Sequence, residues 1–250
     1  YYYKVTSTGT YGAQSALAQV IVKKYFFGLT IPATIAAGGG VVVGGNATVT
    51  SGESGDENPT GVAIQSAGTA SATGSGEISG SVVNDTTFPG FEAIFGMTTT
   101  EMYANAGIKA SYTSNTSNPG AVPSGTIGKV IWITAKDGGL KKDITFTGSG
   151  PGGYMIGSAS QPVIMVVDGN LNLNTVTFYG AIYVTGVFRN QGGSQIRGSI
   201  AVEGTAETDI LGTGAGDGTK IEYSKSVLRN INEKLFPFRP VKGSWDMSRG

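Results

Sequence analysis

The chain has neither cysteine nor histidine. Without cysteine there is no disulfide framework, and without either residue there is no Cys/His zinc site and no haem ligation by those side chains. Ser-His-Asp and Cys-His catalytic groupings are excluded for the same reason. Charge is sparse: Asp, Glu, Lys and Arg make up 14% of the residues, against about 25% in ordinary globular domains. Long apolar runs are missing too. The best candidate, Ala16 to Leu29, is interrupted by Lys23 and Lys24, and nothing approaches the roughly 18 residues that read as a bilayer-spanning helix. No initiating Met or signal peptide opens the sequence, and the abrupt Tyr1-Tyr2-Tyr3 start reads as a chain lacking an N-terminal segment.

What fills the chain is glycine, with 41 residues of 250, and small polar residues among runs of Val, Ile, Tyr and Phe. That mixture favours many short strands joined by turns, and it is too apolar for disorder. The net charge of zero gives no general pull toward nucleic acid. It is unevenly spread, however: residues 220–250 carry seven basic and three acidic side chains, residues 1–219 ten and fourteen.

Residues 1–30 read as a β-hairpin, with strands over Tyr3 to Thr8 and Gln14 to Phe27 about a turn at Gly9 to Gly12. Residues 31–125 read as a Gly-rich β segment with a helical insertion. In that insertion Phe91, Ile94 and Phe95 share one helical face, Gly96 stops the helix, and Thr98 with Glu101 makes a capping box for a second short helix. Residues 111–125 are rich in Ser, Asn, Pro and Gly and read as a linker. Over residues 126–222 the strands are denser. Pro162 to Val167 is apolar without alternation, as expected of a strand buried on both faces. FYGAIYV and IRGSIAV repeat one strand–Gly–strand shape, from Gly180 to Gly198. Such a rhythm predicts a β-solenoid with glycine at its corners. Residues 223–250 read as one helical turn after a strand and then an extended tail packing back on the hairpin.

Four ordered stretches resemble the PilX-type pilus assembly proteins, the large minor pilins of bacterial type IV pili. They are YKVTSTGT from Tyr3, FEAIFGM from Phe91 with Thr100-Glu101-Met102, PVIMVVDGNLNL from Pro162 through YGAIYV, and GSWD from Gly243. The resemblance implies a mainly β protein: a pilin-like β-hairpin and sheet elaborated by a Gly-rich right-handed β-solenoid, with one or two short helices around residues 90–106. It implies a non-enzymatic structural role in pilus assembly at the tip, with other minor pilins and a tip adhesin as partners. It also implies a cell-envelope or pilus location, with anchorage in the inner membrane through a missing N-terminal helix.

Several side-chain groups invite chemistry. Asp168, Asn170 and Asn172 place oxygen ligands at every second residue, a pattern that suits calcium. The loop glycine and the closing glutamate of a calcium loop are absent, so an Asn-rich strand edge is the plainer reading. Glu53, Asp56 and Glu57 form a second acidic group of the same kind. Lys220, Lys225, Arg229, Lys234 and Arg239, with Lys242 and Arg249, make a mild basic tail that could meet a partner or DNA phosphates, or simply be a solvated face. The tip-located binding module this suggests, for DNA or a surface glycan, is the alternative function. Glu203, Glu207 and Asp209 would be the carboxylates of a β-helix carbohydrate enzyme, the remotest reading, since hydrolysis needs two at a fixed separation across a cleft. Gly148 to Gly153 matches G-x-G-x-x-G but contains Pro151 and lies in no βαβ unit. The aromatic start (Tyr1, Tyr2, Tyr3, Tyr11, Tyr25, Phe26, Phe27) reads as core between the hairpin and the missing helix.

Overall fold

A computed structural model describes residues 2–11, 14–23, 31–149, 153–208, 218–235, 239–240 and 246–249. Strands β1 (Tyr2–Tyr11) and β2 (Gln14–Lys23) form an antiparallel hairpin. Seven short strands follow: β3 (Ile35–Ala37), β4 (Val41–Val43), β5 (Thr48–Thr50), β6 (Val62–Ser66), β7 (Ala70–Ala72), β8 (Glu77–Ser79) and β9 (Ser81–Asn84). Helices α1 (Phe91–Phe95) and α2 (Thr99–Asn105) lead to β10 (Ile108–Tyr112), β11 (Thr116–Ser117), β12 (Val130–Asp137), β13 (Leu140–Lys141), β14 (Asp143–Thr147) and β15 (Tyr154–Ile156). Then come β16 (Val163–Asp168), β17 (Asn170–Asn174), β18 (Val176–Val184), β19 (Phe188–Gln191), β20 (Gln195–Val202), β21 (Ala206–Thr208) and β22 (Lys220–Glu222). Helix α3 (Lys225–Lys234) precedes β23 (Arg239–Pro240) and β24 (Asp246–Arg249).

Among the described residues the strands fall into a four-stranded antiparallel sheet and two largely parallel sheets of thirteen and seven strands. In the thirteen-stranded sheet β10, β12, β16, β18 and β20 pair in sequence order. In the seven-stranded sheet β11, β14, β17, β19 and β21 do the same. The chain then breaks its own order. Strand β3 adds to β20, β4 to β21 and β5 to β22, all in parallel, and β6, β7, β8 and β9 extend the sheets beyond them. Inward-facing Ile131, Phe146, Leu171, Phe178, Ile200, Val41 and Val49 belong to one continuous core.

The expected architecture is therefore corrected. The protein is mainly β, but it is not a pilin-like hairpin and sheet elaborated by a right-handed β-solenoid. Its bulk is two large parallel sheets, and the hairpin belongs to a separate sheet made with β23 and β24. The physical reason lies in the pairing. The apolar strands of residues 35–84 satisfy their backbone groups on the edges of β20, β21 and β22, so they are merged into sheets with residues 195–222 rather than grouped with the hairpin beside them in sequence. Two local readings also change. The 111–125 stretch contains the end of β10, all of β11 and the fully buried Val122, so it is part of the body. Residues 225–234 form a ten-residue helix, not a single turn.

Strand β16 shows why its sequence does not alternate. Val163, Met165 and Val167 face the core between the sheets. Ile164 and Val166 face outward and are covered, with Ala181, Tyr183 and Ala201, by Phe91, Ile94 and Phe95 of α1, Met102 of α2, and Leu228 and Ile231 of α3. A parallel strand covered on both faces carries apolar side chains at every position. The two short helices are set by local chemistry. Gly96 closes α1 in the left-handed conformation at φ 62°, and Thr98 accepts from the Glu101 amide while Glu101 accepts from the Thr98 amide.

The glycine repeat has a steric cause. Gly180 pairs with Gly198 across β18 and β20, at φ of +148° and +142°. Each glycine lies inside an unbroken strand: Phe178 and Ile196 precede it, and Ile182 and Ile200 follow it, all in the core. A Cβ on Gly198 would sit 1.8 Å from the Gly180 carbonyl oxygen, and one on Gly180 would sit 1.9 Å from that of Val163. Both obstacles are backbone and cannot swing aside. Gly198→Ala is expected to cost about 3–5 kcal/mol, whereas Gly120→Ala, with open space around it, should change stability by less than about 0.5 kcal/mol. Denaturant titration of the two variants checks this.

Candidate functional site

The outer face of the seven-stranded sheet carries the asparagine row. Leu171 and Leu173 of β17 point inward and are fully buried, leaving Asn170, Asn172 and Asn174 on the outward side. Asn170 donates to Asp143 Oδ1 at 2.8 Å and accepts from the Val187 amide at 2.9 Å. Asn172 donates to Thr145 Oγ1 at 3.3 Å. Asp168, at the end of β16, forms an ion pair with Lys136 and accepts from Thr185 Oγ1 at 2.9 Å. Asp168 and Asn170 thus spend their acceptor oxygens on neighbouring residues, the carboxylate on an ammonium and a hydroxyl, whereas Asn172 donates through its amide nitrogen and its Oδ1 is buried without a hydrogen-bond partner among the described residues. Among the described residues no three acidic side chains come together in a way that could hold a metal ion.

A second polar group lies where β20, β22 and the loop after β5 meet. The Glu222 side chain is 5% exposed, with Lys220 Nζ at 3.3 Å and Arg197 Nε at 3.6 Å from its Oε2. Lys220 also lies 3.7 Å from Glu53. A buried carboxylate flanked by two cations is held by charge, and removing either cation leaves it undercompensated. Next to it Asp56 clamps the start of α3: its carboxylate accepts from the Ser226 amide at 2.6 Å and from the hydroxyls of Ser224 and Ser226 at 2.6 and 3.1 Å. Ser224 in turn caps Val227. The sequence marks Asp56 only as part of an acidic group with Glu53 and Glu57, and its tie to Ser224, 168 residues away, carried no signal. Glu222 carried no sequence signal at all.

The basic residues of 220–239 do not form one free patch. Lys220 is engaged as described, Arg229 lies 4.0 Å from Glu233, and Lys234 donates to the Ser160 carbonyl. Lys225 and Arg229 are exposed one turn apart on α3. Arg239 lies on β23 opposite Lys23, and Lys242 lies outside the described residues. Charges already paired within the protein release fewer counterions on meeting a phosphate backbone. Of the carboxylates considered for hydrolysis, Glu207 pairs with Arg189 at 2.9 Å, Glu203 accepts from the Tyr183 hydroxyl at 2.7 Å, and Asp209 lies outside the described residues. So do Gly150 to Gly152 of the glycine motif, Tyr1, Tyr25, Phe26 and Phe27 of the aromatic start, and Trp245.

Tyr183 is the centre of an aromatic cluster under α1. Its ring meets Phe91 edge-on with centroids 5.0 Å apart and lies 5.7 Å from Phe95, and Phe91 continues to Trp132 at 6.0 Å. Burial lifts the Tyr183 phenol well above its usual range, and the hydrogen bond to Glu203 and that group's charge add to the effect. Tyr223 is also raised, first by burial and then by the charge of Asp56.

The antiparallel sheet offers a different kind of surface. Strand β1 pairs only with β2, so its outer edge is unpaired within the described sheet, and residues 4–10 are exposed. Val5 is 49% exposed. Among the described residues no helix is long and apolar enough to cross a membrane. No family model, curated protein or solved structure matches the chain.

Two outcomes test this geometry. Asp56→Ala removes the clamp on α3 and is expected to cost about 1–2 kcal/mol, read as a lower midpoint in denaturant. Tyr183 and Tyr223 hold folded-state pKa values above the unfolded value near 10, so their contribution is complete below that pH and is lost as the pH rises beyond it. Spectrophotometric titration should show these two of the eleven tyrosines, together with Tyr154, which burial and then Tyr112 also raise, ionising late and with alkaline unfolding.

Proposed function

We propose that this chain is a structural subunit that works by contact between proteins, as a minor pilin acting in type IV pilus assembly at the pilus tip. Its partners in this reading are other minor pilins and a tip adhesin of the bacterial cell envelope. The ordered resemblance of four segments to PilX-type assembly proteins suggests the system. The observation that carries the mode of action is the β1 edge. A ten-residue strand, exposed from Lys4 to Thr10, presents a row of backbone donors and acceptors along the free edge of its sheet. Such an edge accepts a strand from another chain, with main-chain hydrogen bonds supplying affinity.

That edge carries one guard, Lys4, at its start. Between Val5 and Tyr11 there is no charged residue and no proline, the usual devices that keep an edge strand solitary. The reading therefore rests on strand addition to β1. A strain lacking the gene should have few or shortened pili. Restoring the wild-type chain should recover them, and a Thr6→Lys/Thr8→Lys variant should not, although its thermal melt matches the wild type. Normal piliation, twitching and adhesion in the deletion strain would overturn the proposal.

A further inference from the structure

The asparagines divide by what the side-chain nitrogen does. Asn58, Asn118, Asn170, Asn172 and Asn230 each donate a hydrogen bond through Nδ2 to another part of the fold. Asn105, Asn174, Asn190 and Asn232 are wholly or partly buried. Asn46, Asn84 and Asn115 are exposed, and their Nδ2 atoms donate to no described residue. Asn46 lies in the turn between β4 and β5, Asn84 ends β9, and Asn115 immediately precedes β11.

Each of these three is followed at the second position by a hydroxyl residue, with no proline between: Asn46-Ala47-Thr48, Asn84-Asp85-Thr86 and Asn115-Thr116-Ser117. That spacing is the acceptor signal for N-linked glycosylation. No other asparagine of the chain fits it. Asn58-Pro59-Thr60 has the spacing, but proline at the middle position closes it. Asn58 is also the residue that could least carry a sugar: it is 4% exposed, and its Nδ2 holds the Pro32 and Val62 carbonyls at 2.9 and 3.2 Å. Asn118 is exposed as well, but Pro119 and Gly120 follow it, and its amide is tied to Thr147. An open signal and a free nitrogen therefore coincide at three positions. Serine and threonine scattered at random through the chain would not respect that division.

We propose that Asn46, Asn84 and Asn115 are N-glycosylation sites, each receiving an oligosaccharide from a polyprenyl diphosphate carrier. Nδ2 attacks the anomeric carbon of the carried sugar. A C–N bond forms and the C–O bond to the diphosphate breaks. The carrier diphosphate leaves with the bonding electron pair, and the displaced Nδ2 proton passes to a base of the transferase. The amide oxygen is unchanged by this step, so Asn115 Oδ1 still accepts from the Asp143 amide at 2.9 Å. Thr48 of the first signal pairs with Lys220, so that signal stays open until the end of the chain has emerged. The proposal draws on the function above only in that the chain must leave the cytoplasm to meet such a carrier.

Peptide mass spectrometry of the chain purified from the cells that make it should find sugar mass on Asn46, Asn84 and Asn115 and none on Asn118. Thr48→Ala, Thr86→Ala and Ser117→Ala leave each asparagine in place, and each should abolish modification at its own site alone. Thr86→Ser should retain it. Asn84→Gln should lose one sugar with an unchanged circular dichroism spectrum, since its nitrogen holds nothing in the fold. An unmodified asparagine at one of the three positions removes that site. Unmodified asparagine at all three, or modification that survives the hydroxyl substitutions, overturns the proposal. These readouts are masses, so they stand apart from whether the deletion strain loses its pili.

Discussion

The rest of the structure depends on one seam, where strands from the first third of the chain pair with strands from the last third. Ile35, Ala36 and Ala37 lie in register with Ile200, Ala201 and Val202. The β21–β4 and β22–β5 pairs continue the seam on the neighbouring rows. It is reinforced inside by Ser199, fully buried, whose hydroxyl donates to the Ala33 carbonyl at 2.6 Å across 166 residues of sequence. Without these pairings β3 to β9 would be short strands of three to five residues with no partner on one side, and a strand set of that size is marginal in water. With them, one core runs from Val122 to Ile78.

The composition follows from the same seam. Parallel rows close together leave no room for a Cβ where one backbone runs hard against the next, which accounts for Gly180 and Gly198. They also need outward side chains that bond along the row, as Asn170 does with Asp143 and Arg189 with Glu207. Charge is used sparingly, in pairs and in the group of Arg197, Glu222, Lys220 and Glu53. Where the outer face is not polar it is covered by helices: α1 and α2 return the chain from β9 to β10 across the thirteen-stranded sheet, and α3 lies beside them. Tyr183 ties these layers together, its ring among phenylalanines and its hydroxyl reaching Glu203 at the rim.

Much of the local structure was legible. The hairpin, the Gly96 stop, the Thr98 capping box and the double-sided burial of Val163 to Val167 each follow from neighbouring residues. The partner of each strand was not. Periodicity states what a segment needs on its two faces and says nothing about which edge it joins, so the merging of residues 35–84 with 195–222 was hidden and the fold class was misjudged. Helix α3 was undersized for a related reason: Val227, Leu228 and Ile231 become a buried face only once the sheet beneath them exists. At the candidate sites the carboxylates and lysines were visible as residue types. Their pairing, Lys136 with Asp168 or Asp56 with Ser224 and Ser226, needed the third dimension.

The order of the seam has a kinetic consequence. On a ribosome, Ile35 to Ala37 emerge long before Ile200 to Val202. The early strands must wait, with hydrophobic and glycine-rich segments unsatisfied, until about four-fifths of the chain is out, and closure over so long a loop is slow. Such a protein is expected to acquire its structure late and all at once, and to need shielding by a chaperone while its first third stands idle.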